Sequence, residues 1–168
     1  RPYVDAFILT HRHDDHVKGL KKHFHLGPIK DYKKDDDELK IVIRELWSSH
    51  NFWKPESESY SLCDDAKAFN TEMRRRVDLY KNSKTIQGEG DRAIIVGKDI
   101  DGKTDGLEGI NYDIGDAFCM INNLDVSEKM EGYILSPIVQ QENEEDECFT
   151  DKNRQSVVFQ LTVTQGSY

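Results

Sequence analysis

The sequence predicts an α/β fold, and three observations predict it. A short apolar run, Val4 to Thr10, ends at a cluster of histidines and is followed by a helix-like stretch that Gly27-Pro28 closes. A second run, Leu39 to Trp47, alternates as a strand does. Between it and a β-rich C-terminal half lies a single amphipathic stripe of helical period.

Each element has its own signal. Val4–Thr10 (VDAFILT) is apolar and uninterrupted, the pattern of a buried strand, and Val17–Leu26 reads as the helix behind it. Tyr32 to Glu38 is a charged surface connection; Ser48 to Ser61, with Pro55 and several serines and glutamates, is loop-like. Ser61-Leu62-Cys63-Asp64 resembles a capping box with Asp in the Glu position. Behind it Leu62, Ala66, Phe69, Met73, Val77 and Tyr80 recur at steps of three and four, one stripe on a helix reaching Asn82. Arg74, Arg75 and Arg76 fall mostly off the stripe and are expected on the solvated face.

Beyond Gly88 and Gly90 the character turns to β. Ala93–Val96 is a short apolar run, and Asp99-Ile100-Asp101-Gly102 reads as a hairpin turn. A calcium loop is excluded there, because Lys103 and Thr104 stand where a ligand and a glycine are needed. Tyr112–Ile121 and Tyr133–Ile138 are strand candidates with a turn near Asn122-Asn123, and Ser156–Thr164 alternates as a final strand. Residues 140–152 carry six acids and one lysine, the composition of a mobile acidic loop. The whole chain, 1–168, is read as one domain.

Composition limits the function. No stretch approaches the roughly 18 apolar residues of a membrane helix. Cys63, Cys119 and Cys148 lie far apart without CxxC pairing, which points away from a thiolate zinc site and toward a reducing, cytoplasmic setting. The net charge of −9 argues against a general nucleic-acid coat. Residues 1–34, however, hold eight Lys/Arg against four acids, so the segment around the histidines is +4 and the remainder −13. A positive rim of this kind attracts an anionic substrate; as a structural feature alone it is a solvated helix face and a lysine-rich loop.

The chemistry lies in His11-Arg12-His13-Asp14-Asp15-His16. Short side chains at a strand end converge on a cation where the chain turns sharply. His11 and His13 can share one metal through imidazole nitrogens, a ligand type zinc accepts readily. Asp15 and His16 then point toward a second cation. Two such cations, about 3.5–4 Å apart, hold a bridging water, leave hydroxide available at neutral pH and polarise the substrate oxygen. Asp15 is the catalytic candidate, and Asp14 receives no role. Without a metal the same six residues would be a polar surface turn.

Ile8-Leu9-Thr10-His11-Arg12-His13-Asp14-Asp15-His16-Val17-Lys18-Gly19-Leu20 resembles the signature motif of the metallo-β-lactamase superfamily, nearest to the hydrolase domain of competence-type DNA-uptake proteins and their stand-alone bacterial relatives. Asn153-Arg154-Gln155-Ser156-Val157-Val158-Phe159-Gln160-Leu161 is similar to a strand of that subgroup, and the helix from Asp64 to Tyr80 also looks like the stand-alone relatives. The resemblance implies part of an αββα sandwich, with His11 and His13 on the first metal and Asp15 and His16 on the second. His50 is the candidate for the family's separate third histidine; His23 and His25 are read as surface or core residues. The family usually adds a bridging aspartate and a late histidine downstream and a β-hairpin region upstream. The chain is therefore expected to be an interior piece, truncated at both ends, that alone binds metal weakly and catalyses nothing detectable.

The function implied is a metal-dependent hydrolase with two divalent ions, zinc first and manganese second, acting on a phosphodiester of nucleic acid or nucleotide. The same hydroxide attacks carbonyl centres, so a lactone, thioester or amide substrate stays open. A binding or scaffold domain without turnover is the third reading. The sequence leaves the oligomeric state open.

Overall fold

The computed structural model describes residues 1–34, 39–54, 56, 61–85, 88–99, 102–137 and 156–164. Strands β1 (Tyr3–Leu9), β3 (Ile41–Ser49), β4 (Arg92–Val96) and β5 (Asn111–Tyr112) form a parallel sheet in the order β1-β3-β4-β5, and the short β2 (Phe24–His25) pairs with the start of β3. Parallel neighbours require crossovers. Two short helices, α1 (Asp14–Val17) and α2 (Leu20–His23), lie between β1 and β3, and the long helix α3 (Asp64–Ser83) lies between β3 and β4. A smaller antiparallel sheet follows, with β6 (Ala117–Phe118), β9 (Met130–Ser136) and β10 (Val158–Val163) in the order β10-β9-β6. β7 (Met120–Ile121) and β8 (Leu124–Asp125) close a hairpin through Asn122 and Asn123, both at positive φ, as a two-residue primed turn requires.

Aromatic contacts order the layers. On one face of the parallel sheet Phe7 meets Phe24 at 5.1 Å and Phe69 of α3 at 6.5 Å. On the other, Trp47 stacks on Tyr112 at 5.7 Å and meets Phe118 at 4.9 Å, and Phe118 meets Phe159 of β10 at 6.2 Å. Helix, parallel sheet and antiparallel sheet therefore stack, a mixed α/β arrangement. The α3 stripe is the helical side of this core: Leu62, Ala66, Phe69, Met73 and Val77 are all buried. Each large apolar side chain so placed contributes ~1.5–3 kcal/mol, well above the few tenths that helix propensity supplies.

Four expectations are corrected. Val17–Leu26 is not one helix. Gly19, at φ +92, interrupts it, and α2 ends at His23, where the chain extends into β2. Its opening N–H groups are capped from another element: Asp65 of α3 accepts from Gly19 N (2.8 Å) and Lys21 N (2.9 Å). Ser61 is not the α3 cap either; Cys63 holds that position, without a side-chain hydrogen bond. The expected strand Tyr112–Ile121 is three two-residue pieces, because Gly115 at φ +88 and the turn around it break the run.

The last correction concerns the arginines. Arg74 is exposed, but Arg75 is half-buried and Arg76 is buried. Glu72, also buried, explains this by accepting from Arg76 Nε (2.7 Å), from Arg75 Nη2 (2.7 Å) and Nε (2.9 Å), and from Gly27 N (2.9 Å). Arg76 also donates to the carbonyls of Ile43 and Arg92, so α3 is pinned to β3 and to β4. Across the sheet buried Glu45 accepts from Trp47 Nε1 and Arg92 Nε. The acidic loop of residues 140–152 and the two central residues of the Asp99–Gly102 turn, 100 and 101, lie outside the described residues.

Candidate metal site

β1 ends at Leu9, and after three residues without regular structure His13 caps α1 from a β conformation (φ −70, ψ 150). The turn from strand to helix brings three imidazoles together. His11 meets His13 edge-on at 4.7 Å between ring centroids and His16 at 3.9 Å. His11 is buried, His13 half-buried and His16 exposed. Nδ1 of His11 hydrogen-bonds to Thr10 Oγ1 and Ser156 Oγ, both at 3.1 Å, and Val157 N donates to Thr10 O at 3.0 Å. The start of β10 is thereby tied to the motif.

His50 comes from the neighbouring strand. Leu9 pairs with Ser48, and His11 and His50 each lie two residues beyond that pair, at the carboxyl ends of β1 and β3. His50 opens a 3-10 turn over His50–Trp53 and is 7% exposed. Its Nδ1 has no hydrogen-bond partner among the described residues. Gly97, just past β4 at φ +121, makes room for the ring, since a Cβ there would stand 3.0 Å from Nδ1 and 3.1 Å from Pro137 Cγ. Burial, and then the charges of Lys54 and Lys103, push the imidazole pKa down to about 4, with Asp99 opposing. His50 is therefore neutral at pH 7, the form in which imidazole ligates.

The carboxylates stand differently. Asp15 has 78% of its side chain exposed and lies 3.6 Å from His16 Nε2. Asp14 faces the Cys63 thiol, whose pKa burial raises. Among the described residues no group of three His, Cys, Asp or Glu side chains is disposed to hold a metal ion. The histidine half of the expected ligand set is thus gathered, and His11 has its second nitrogen anchored, as ligating histidines do. Imidazole is a donor type that zinc accepts, but the three rings do not form a group disposed to hold an ion. The carboxylate half does not come together with them. His23 is exposed and His25, half-buried, hydrogen-bonds to Pro28 O; neither joins the cluster.

Two residues that position the site had no functional role in the sequence reading. Ser156 opens the alternating run Ser156–Thr164, but nothing local says that its hydroxyl reaches His11. Gly97 is legible only as a glycine after an apolar run. No helix among the described residues is long and apolar enough to cross a membrane. No family model, curated protein or solved structure matches the chain.

Proposed function

We propose that the chain carries the site of a metal-dependent hydrolase of the metallo-β-lactamase type, acting on a phosphodiester of nucleic acid or nucleotide. The observation that carries this reading is the gathering of His11, His13 and His16 at the end of β1, with His50 at the adjacent end of β3. Carboxyl ends of parallel strands are where such sheets bind ligands. His11, His13 and His50 would hold the first cation, and Asp15 and His16 the second. A divalent cation there would lower the pKa of water toward neutrality and polarise the substrate oxygen.

The chain's own side chains have definite tasks in this scheme. Thr10 and Ser156 fix the ring of His11. Burial keeps His50 deprotonated. Asp15, in the first turn of α1 and open to solvent, is the carboxylate available to take a proton from an entering water. The test is hydrolysis of bis(p-nitrophenyl) phosphate with zinc or manganese, run beside a lactone and a thioester. The reading expects, in the full-length protein, diester cleavage that a chelator abolishes and that His13→Ala removes without unfolding it. Cleavage that survives the chelator, or an unchanged His13→Ala variant, contradicts it.

A further inference from the structure

β10 is the outermost strand of the order β10-β9-β6, and no strand among the described residues pairs with its far side. Two hydrogen bonds fix which way its backbone groups point. Thr164 N donates to Lys129 O, so Thr164, and by alternation Thr162 and Gln160, turn toward β9. Ile134 N donates to Asp116 O on the β6 side, so its β10 partner Phe159 turns away from β9. Phe159, Leu161 and Val163 therefore present their N–H and C=O groups to the open edge. Natural edges of this kind are usually blunted by charge or proline. Val158–Val163 (VFQLTV) carries neither, and its pairing irregularity stands at the very start, at Val158/Phe159. Leu161 is 45% exposed and Val163 72%. We propose that β10 pairs antiparallel with β10 of a second copy of the chain, about a two-fold axis at Leu161, joining the two antiparallel sheets into one.

A second copy is the occupant because the strand is complementary to itself. With the axis at Leu161, this residue faces its own counterpart, Phe159 faces the second copy's Val163, and Gln160 faces the second copy's Thr162. Apolar meets apolar on the face that Phe159 turns toward Phe118, and polar meets polar on the other. An axis at Phe159 or Val163 keeps the backbone pattern but shortens the overlap. Charge points the same way. Two chains of net charge −9 repel, and an uncharged strand lets them meet without like charges directly opposite. The charged groups beside it, Lys129 and Glu131 of β9, are of opposite sign. Such an interface presents the same patch from both copies and closes at two. Main-chain hydrogen bonds give it affinity, and the alternating side chains give it register. The pairing also bears on the histidine cluster. Ser156 hydrogen-bonds to His11, and Val157 N donates to Thr10 O, immediately before β10 begins. The strand that joins two copies is thus the strand that anchors His11 in each.

Sedimentation equilibrium over a concentration series tests this on wild type, Leu161→Lys, Leu161→Glu, Val163→Pro and a control. The control is Leu124→Lys, at an exposed leucine of the β7–β8 hairpin. The expected wild-type mass reaches twice 19.5 kDa by about 100 μM. Leu161→Lys and Leu161→Glu each set like charges opposite one another and weaken association about tenfold or more. An equimolar mixture of the two variants restores the dimer, because the opposed charges then differ in sign. Val163→Pro removes an edge N–H while sparing the β9 ladder, and it weakens association likewise. The control associates as wild type does, and circular dichroism is unchanged throughout. A wild type that stays monomeric across the series overturns the proposal and leaves the edge to a different strand. A dimer indifferent to the charged variants, or charged variants that dissociate and do not recombine, overturns it too. Should either charged variant lose its folded spectrum, Val163→Pro decides alone, and an undiminished dimer in that variant overturns the pairing.

Discussion

Glu72 is 3% exposed on its side chain, and two arginines of α3 both turn to its carboxylate. Burial raises its pKa, but the contacts with Arg75 and Arg76 outweigh burial, and the net shift is downward. Arg76 is pulled down by its own burial more than Glu72 lifts it, yet a guanidinium keeps its proton at neutral pH. The pair is therefore charged, and removing one member strands the other. Glu72→Gln should cost about 3–5 kcal/mol, the usual penalty for breaking a buried ion pair, read as a lower urea midpoint with an unchanged slope. Because the folded pKa lies below the unfolded one, the stabilisation is fully present above the unfolded value. It is lost as pH falls through the folded value. Acid titration followed by circular dichroism should show the variant losing less stability than wild type below about pH 4.5; equal losses would contradict the assignment. Gly97 is the second residue whose change is informative. Gly97→Ala puts a methyl at positive φ and 3.0 Å from His50 Nδ1, so it should destabilise by about 1–3 kcal/mol and shift the His50 imidazole resonances. A silent His50 spectrum would show that the glycine does not shape this ring's pocket.

The short helix α2 depends on α3. Asp65 accepts the N–H groups of Gly19 and Lys21, so Asp65→Ala should cost about 1 kcal/mol, or about 2–4 °C in Tm for a chain of this size. An unchanged melting curve would remove Asp65 from the account. The same elements show what a sequence can tell. The Leu62–Val77 stripe was legible because period alone places a helix against a core. The strand Tyr3–Leu9 and its histidine terminus were legible because an apolar run that stops at polar ligand types has few other readings. Gly19 lay in plain view, but whether a glycine inside a helical pattern breaks it depends on a cap from a residue 46 positions away. Arg76 was misplaced because its partners, apart from Glu72, are carbonyls of β3 and β4 that only the folded chain brings near. At the site, the motif placed His11, His13 and His16 together, and parallel pairing added His50. The hydroxyl of Ser156, 145 residues from His11, was beyond local reading.

At the scale of the molecule, α3 covers one face of the parallel sheet and the antiparallel sheet covers the other. The carboxyl ends of β1 and β3 are left to carry His11, His13, His16 and His50. Segregating chemistry to one end of a sheet lets the remaining buried surface hold the fold, so the site can be altered without unfolding it. Zinc uptake by the chain as it stands tests the central claim most directly. The account predicts about one zinc per chain, bound weakly because the imidazoles of His13 and His16 flank that of His11 while no group of three ligands among the described residues is disposed to hold an ion. It also predicts loss of that zinc in His11→Ala/His13→Ala with the circular dichroism spectrum unchanged. No zinc uptake by the folded wild type, or the same uptake by the double variant, would contradict it.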